Sequence, residues 1–287
     1  MTVLSPLRYP GGKDKTYNYV KRLVEINNIS TYIEPFAGGA AVAFRLLLNN
    51  DVKRVIINDY DLSIYSFWYA VVFKTEDLIL LIEQTPITIE EWHKQKAIQE
   101  NKENVSLISL AFSTLFLNRT NRSGIIKAGV IGGKDQTGEY KLDCRFNKEK
   151  IIEKIENIAK QKKRIEIYNM DAKDFIFKVI KKTRKSLTFF DPPYYDKGPD
   201  LYTNFYSHEN HVELANIIHK AMRNRYWILT YDIAEQIEFL YRKNRKEKYY
   251  LNYSVAKPTK GQEFMFFSRK VNPDSIEDFL TLVPTSQ

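Results

Sequence analysis

Cysteine is almost missing from this chain: Cys144 is the only one in 287 residues. A single thiol excludes an internal disulfide framework and a Cys-based zinc site. The four histidines, His93, His208, His211 and His219, form no HExxH pair. His208 and His211 are three apart and fit one helix face; with no third ligand nearby they read as surface residues, and no metal is expected. Two phosphate-binding signatures are absent as well, since neither GxGxxG nor GK[ST] occurs. No apolar run reaches membrane-spanning length, and MTVLSPLRYPGGK lacks the apolar centre of a signal peptide. A soluble, cytoplasmic protein with no membrane partner is therefore expected. Acid is in deficit: 35 Asp+Glu face 44 Lys+Arg, a net charge of +9. That excess suits a polyanionic partner, and basic residues gather at Lys160–Arg164, Lys178–Lys185 and Arg242–Lys248, although each run also fits a solvated helix end.

What the chain has is enough apolar residue for a real core, 44% hydrophobic and 14% aromatic. Its length fits one large domain or a core carrying an insertion. The most informative stretch is Leu187–Tyr195, LTFFDPPYY. Apolar residues bounded by proline read as a buried parallel strand. Pro192 and Pro193 cannot donate a ladder hydrogen bond, so the strand stops at Asp191, at the carboxyl edge where open α/β sheets bind ligands. The Asp191 carboxylate and the Pro192 carbonyl offer two acceptors with no competing proline N–H. An exocyclic amine with two N–H bonds fits that set, and Tyr194 offers a flat face for its ring. A plain strand-ending turn is the alternative.

Three other stretches carry signals of their own. In Thr31–Val42, TYIEPFAGGAAV, a short strand stops at Glu34-Pro35, and Gly38-Gly39 opens a helix. That layout is a nucleotide-type cofactor turn whose small residues, Ala37, Gly38, Gly39 and Ala40, allow close approach of the main chain. Glu34 suits a cationic cofactor better than a pyrophosphate. Arg54–Asp59, RVIIND, follows as a strand ending in acid at about the ~20-residue distance expected of a ribose-binding carboxylate. Asp59 is the choice for that role and Asp61 the fallback, since Asp61 could also cap the helix from Leu62. Upstream, Leu7–Lys13 sets a Pro-Gly-Gly turn before a helical stretch, aiming Lys13 at a ligand or forming an ordinary turn.

Residues 62 to about 150 break the alternation of strands and helices. Ile64–Ile82 reads as helical, Glu90–Glu103 as a polar helix and Val105–Leu117 as an apolar one. Asn118–Gly138 is a loop rich in glycine, asparagine and cations. Beyond it come predicted strands at Ile165–Asp171 and Tyr226–Thr230, a helix over Glu209–Asn224, and an antiparallel pair at Tyr249–Val255 and Glu263–Ser268.

GGK, EPFAGGA, an acid-ended second strand and a downstream DPPY, in this order, resemble the D12-class, Dam-like (α-group) DNA adenine-N6 methyltransferases. The likeness runs from Leu7 to about Tyr241. Departures are Glu34, where Asp is commoner, RYP before GGK, and a different sequence between the motifs. The resemblance implies an α/β fold: a Rossmann-like class I methyltransferase sheet, mostly parallel with one antiparallel strand, carrying an inserted, mainly helical target-recognition domain. The catalytic domain is then 1–61 with 151–287, and the recognition domain 62–150. It implies S-adenosylmethionine as cofactor, with S-adenosylhomocysteine as product, held by Tyr9, Gly12, Lys13, Glu34, Pro35, Phe36, Ala37, Gly38, Gly39, Asp59, Asp171 and Asp191. Asp171 fits a contact to the cofactor's adenine and equally a helix N-cap. Phe36 would shield the sulfonium by cation–π attraction.

The partner implied is double-stranded DNA, contacted by Arg119, Asn121, Arg122 and Lys127 in a hairpin loop; an ordinary exposed hairpin is the alternative. The catalytic set is Asp191, Pro192, Pro193 and Tyr194, acting on an adenine flipped out of the duplex, with Tyr202, Phe205 and Tyr206 in a closing loop. C5-cytosine methylation does not fit, because it needs a cysteine after proline and Cys144 follows Asp143. RNA adenine-N6 or cytosine-N4 transfer, or a catalytically silent DNA-binding module, are the competing readings. A monomer is the expected state. Whether the chain serves a restriction system, with a cognate restriction endonuclease as partner, a phage or an orphan regulator stays open.

Overall fold

The computed structural model describes residues 4–8, 12–196, 206–253 and 259–284. Seven strands form one sheet: β1 (Thr31–Glu34), β2 (Arg54–Asn58), β3 (Ile165–Tyr168), β4 (Ser186–Phe190), β5 (Tyr226–Asp232), β6 (Arg245–Tyr253) and β7 (Thr259–Phe267). Their order is β3-β2-β1-β4-β5-β7-β6. β1 to β5 are mutually parallel, and β7 alone runs against them, pairing antiparallel with both β5 and β6. The expected sheet, mostly parallel with one reversed strand, is the one observed. Strand order reverses between β1 and β4, so Glu34 at the end of β1 and Asp191 just past β4 flank the crevice that such a reversal creates.

Both faces of this sheet are covered, and the sequence periodicity states which residue goes where. On one face lie Tyr32, Val55, Ile57, Leu187, Phe189, Ile228, Met265 and Phe267. On the other lie Ile33, Ile56, Phe190, Trp227, Leu229, Phe264 and Phe266. Neighbours in sequence fall on opposite faces because side chains alternate across a strand. A parallel sheet buried on both sides needs apolar residues at nearly every position, which is why LTFF and RVII carry so little polarity. Each fully buried side chain of this size contributes about 1.5–3 kcal/mol.

The second face is closed by α8 (Ala172–Lys178), α9 (His208–Ala221) and α10 (Glu235–Leu240), through Phe175, Ile176, Leu214, Ile218 and Ile237. The first is closed by α1 (Tyr17–Ile26) and α2 (Ala41–Leu48) and by the helices that interrupt the alternation: α3 (Leu62–Phe73), α4 (Thr75–Gln84), α5 (Ile89–Glu100), α6 (Leu107–Thr120) and α7 (Lys148–Ala159). Phe67, Trp68, Trp92, Phe116 and Ile155 place these helices in the same continuous apolar cluster as β1 and β2.

Two expected elements change on inspection. The helical stretch over Ile64–Ile82 resolves into two helices, broken at Lys74, whose φ of −134° leaves the helical region. Thr75, Glu76 and Asp77 explain the restart, because acidic residues favour a helix N-terminus. The loop after α6 is not an extended hairpin: α6 runs through Asn118 and Arg119, a short turn follows, and one isolated bridge joins Asn121 to Val130.

Candidate active site

The carboxyl edge of the sheet collects four acids from four strands. Glu34 ends β1, Asp59 follows β2, Asp191 follows β4, and Asp232 ends β5. Asn58, 1% exposed, ties this edge together: its amide donates to the carbonyls of Pro35 and Met170, and its oxygen accepts from the Met170 N–H.

The glycine turn sits directly above. Gly38 has φ +45° and Ala40, the residue before α2, has φ +43°, a tight turn that only small residues tolerate easily. Gly38 N–H donates to Asp59 Oδ2 at 2.9 Å, the Gly38 carbonyl accepts from Trp68 Nε1 at 2.8 Å, and the Gly39 carbonyl accepts from Ser5 Oγ at 2.6 Å. Asp59 also accepts from the Asp61 N–H at 2.9 Å. Asp61 in turn caps α3 through Ser63 N–H and pairs with Lys102 at 3.2 Å, so its carboxylate is committed locally. Asp171 likewise caps α8, accepting from Lys173 N–H. Phe36, half-buried beside the turn, meets Tyr206 edge-on at 6.0 Å.

The DPPY end is organised around Lys13. Its side chain is 7% exposed, and the ammonium lies 2.9 Å from Asp191 Oδ1 and 3.4 Å from Glu263 Oε1. It also donates to the Tyr194 hydroxyl at 2.9 Å. Tyr194 donates to Glu263 Oε1 and Tyr249 donates to Glu263 Oε2, so both oxygens of this fully buried carboxylate are engaged. Thr230 Oγ donates to Asp191 Oδ1 at 2.7 Å. Asp191 Oδ2 has no hydrogen-bond partner among the described residues, and the side chain stays 26% exposed. Oδ1 is therefore the clamped oxygen of the pair.

Asp232, 3% exposed, holds the turn after Pro193 by accepting from the N–H groups of Tyr195 at 2.8 Å and Asp196 at 3.0 Å. Behind the turn His211 is not on the surface, as the sequence spacing implied, but 1% exposed. Its Nδ1 bonds the Tyr231 hydroxyl at 2.7 Å, and its ring packs against Tyr195 and Tyr206. Burial pulls its pKa down to about 4, so the ring is neutral at physiological pH.

Burial dominates the electrostatics. It pushes the Glu34 carboxyl up to about 8, helped by the nearby Asp191, and the Asp59 carboxyl up to about 7, helped by Asp61. Asp191 is raised for the same reason, against the pull of Lys13. Burial also opposes the Lys13 charge, but Asp191 and Glu263 outweigh it and hold the ammonium above its usual range. Several acids that dislike being ionised thus share an edge, and a cationic ligand would relieve them.

Not every residue singled out in the sequence joins this cluster in the expected way. Tyr9, Tyr202 and Phe205 lie outside the described residues. Tyr194 is 1% exposed with its hydroxyl bonded inward, so its ring offers no open face in this arrangement. Asn121 is fully buried; its oxygen accepts from Trp92 Nε1 at 2.6 Å and its amide donates to the carbonyls of Ile125 and Ile126. Arg119 is turned back onto the Pro6 carbonyl, whereas Arg122 and Lys127 are exposed. Glu263, Thr230, Asp232 and Ser5 bond into this cluster and were missed; for the first three the available signal was acid or hydroxyl at alternate positions inside otherwise apolar strands, and Ser5, outside every strand, carried none. Among the described residues no cluster of His, Cys, Asp or Glu is placed to hold a metal, and no helix is long and apolar enough to cross a membrane.

A family model, D12 class N6 adenine-specific DNA methyltransferase, matches residues 9–259. The chain belongs to that family. Among the relatives of this D12-class methyltransferase is the type II methyltransferase M.MjaIII of Methanocaldococcus jannaschii, 29% identical over 68% of this chain and 70% of the relative. The type II methyltransferase M.CviBI of Paramecium bursaria Chlorella virus NC1A is 25% identical over 76% of this chain and 79% of the relative. The match spans β1 to β6, the glycine turn, the interrupting helices and DPPY. The protein is a DNA adenine methyltransferase and its substrate is DNA.

Proposed function

We propose that this enzyme takes its methyl group from S-adenosylmethionine bound across the reversal of strand order, and delivers it to adenine N6 held against Asp191 Oδ2 and the Pro192 carbonyl. The observation that carries this reading is the row of acids, buried Glu34 with half-buried Asp59 and Asp191, all with raised pKa values, beside a turn of small residues. Such an edge fits a donor that is cationic at sulfur and at its amino group. When bound, S-adenosylmethionine supplies an electrophilic methyl on a sulfonium.

The chain's own residues do the rest by positioning. The N6 lone pair of adenine is delocalised into the ring and is a poor nucleophile. Accepting both N6–H bonds draws that nitrogen toward tetrahedral geometry and turns its lone pair outward. Lys13 and Thr230 fix Asp191 Oδ1, so Oδ2 has one orientation to offer. Asp232 keeps the backbone after Pro193 in place. Asp59 holds the glycine turn and, with its remaining lone pairs, is assigned to the ribose. A Tyr194 ring face reaches a base only if its hydroxyl releases Glu263. Residues 62–150 are assigned to target recognition, with Arg122 and Lys127 facing DNA and Asn121 holding their loop. Because both curated relatives carry type II names, a restriction–modification setting is the proposed context.

The test is transfer of labelled methyl from S-adenosylmethionine to unmethylated plasmid DNA, with the modified base identified afterwards. N6-methyladenine from the wild type, and none from Asp191→Ala at unchanged fold, is expected. Label on cytosine N4, or on RNA alone, would overturn the assignment of the acceptor.

A further inference from the structure

Three cations converge on the four residues Ser5 to Arg8. Lys154 of α7 donates to the Ser5 carbonyl at 3.4 Å, and Arg119 of α6 donates to the Pro6 carbonyl. Arg8 is held by Asn118, which accepts from its N–H at 2.8 Å and donates to its carbonyl at 2.7 Å. Neither Arg8 nor Arg119 nor Lys154 makes an ion pair with a carboxylate among the described residues. Arg8 Nη1 and Arg119 Nε are buried with no hydrogen-bond partner. Arg145, exposed, adds positive charge beside Arg8, and Arg8 acts on Arg119, while exposed Glu153 offsets only part of the effect on Lys154, whose pKa is still lowered.

Like charges gathered without a counter-charge cost free energy, and buried guanidinium N–H groups left unbonded cost more. Burial and Arg8 together push the Arg119 pKa down to about 10, and burial and Arg119 pull Lys154 down. A ligand with several anionic oxygens would supply the counter-charge this cluster lacks, and guanidinium forks match phosphate geometry. Gly124, in the loop after α6, abuts the same segment: a Cβ there would come within 2.6 Å of the Arg8 carbonyl. The cluster therefore sits where α6, α7 and that loop meet the segment leading to Lys13.

We propose that Arg8, Arg119 and Lys154, with Arg145 at the rim, form a clamp for a backbone phosphodiester of the substrate DNA. Arg119 then contacts phosphate and not a base edge, and the clamp sets register without reading sequence. Because Ser5 Oγ also bonds Gly39 of the glycine turn, a phosphate held here is one short segment from both the cofactor turn and Lys13. The proposal rests on the DNA methyltransferase reading.

The test is the salt dependence of duplex binding and of kcat/KM for the wild type and for Arg119→Met, Lys154→Met and Arg145→Gln, on a cognate and an unrelated duplex. Losing one phosphate contact lowers the slope of log K against log[salt] by about 0.9. The expected result is that loss in each variant, equal on both duplexes, with the affinity for S-adenosylmethionine unchanged. Arg145 is exposed, and Lys154 uses its ammonium on one backbone carbonyl, so these variants keep the test alive if Arg119→Met does not fold. Wild-type slopes in the folded variants, with methylation intact, would overturn the clamp alone. A discrimination change confined to the cognate duplex would overturn it in favour of base contact, and saturable binding of inorganic phosphate abolished by Lys154→Met without any change in DNA slope would identify a free-anion site instead. A wild type that methylates no DNA would instead overturn the underlying reading.

Discussion

Two charged clusters, both partly buried and both touching the N-terminal segment, are built on opposite principles. Around Lys13 every charge has an internal partner: the ammonium meets Asp191 and Glu263, and Glu263 receives two tyrosine hydroxyls. Around Arg119 the cations have backbone carbonyls and one another, but no ion pair with an acid among the described residues. The first arrangement is complete before any substrate arrives, which suits a group whose work is to hold one geometry. The second is incomplete, which suits a surface whose work is to attract and seat a polyanion. Burial of charge is thus no single signal. Whether the counter-charge is internal separates a preorganised site from a binding one.

The largest effect should come from the internally paired cluster. Asp191→Asn keeps the shape of the side chain but removes the negative acceptor, and should lower single-turnover methyl transfer by roughly 10²–10³-fold, the usual loss for one preorganised electrostatic group. A thermal melt within a few degrees of wild type would accompany it. Glu263→Ala should act on stability as well, because it leaves two tyrosine hydroxyls without their acceptor and Lys13 with one of its two acids. Lys13 keeps Asp191 at 2.9 Å, so the cost should fall below the roughly 3–5 kcal/mol of a buried charge left wholly unpaired, readable as a shift in denaturant midpoint. A neutral result would mean that the two clusters are not built differently after all.

Glu34 sharpens the comparison through pH. With its carboxyl at about 8, it is mostly protonated at neutral pH and must lose that proton to pair with a cationic donor. Affinity for S-adenosylmethionine should therefore rise with pH and level off above about 8, and Glu34→Gln should flatten that rise. Isothermal titration in buffers of different ionisation enthalpy would detect the released proton. The sign for stability is opposite. An acid whose pKa is raised on folding costs stability as pH climbs from the unfolded carboxylate range, about 4, toward 8. The unliganded enzyme should melt lower at pH 8 than at pH 5, with Glu34→Gln less affected. The smallest effect belongs to Asp61→Ala, which removes a helix cap worth about 1 kcal/mol and should leave methyl transfer nearly unchanged. A large activity loss there would move the ribose assignment from Asp59 to Asp61.

The strands and the two motifs were legible because they are local. An apolar run that ends in acid and proline specifies β4 and the position of Asp191 without any knowledge of its neighbours. The partners of Asp191 were not legible. Lys13, Thr230 and Glu263 reach it from distant parts of the chain, and only strand order brings β5 and β7 beside β4. Asn121 and Arg119 looked like members of an exposed loop, yet α6 extends farther than its apolar run, so both turn inward. His211 misled for a similar reason: its spacing from His208 fits a surface face, but α9 buries that side against Tyr231.

The inward-facing Tyr194 carries a consequence for timing. A hydroxyl shared between Lys13 and Glu263 acts as a latch, and a base entering beside Asp191 meets a ring that is fastened shut. Opening that latch would free one oxygen of Glu263 and one donor bond of Lys13 in the same motion, leaving the ammonium to lean more fully on Asp191. Entry of the base and sharpening of its acceptor would then be a single event, and a half-seated base would find the acceptor unready.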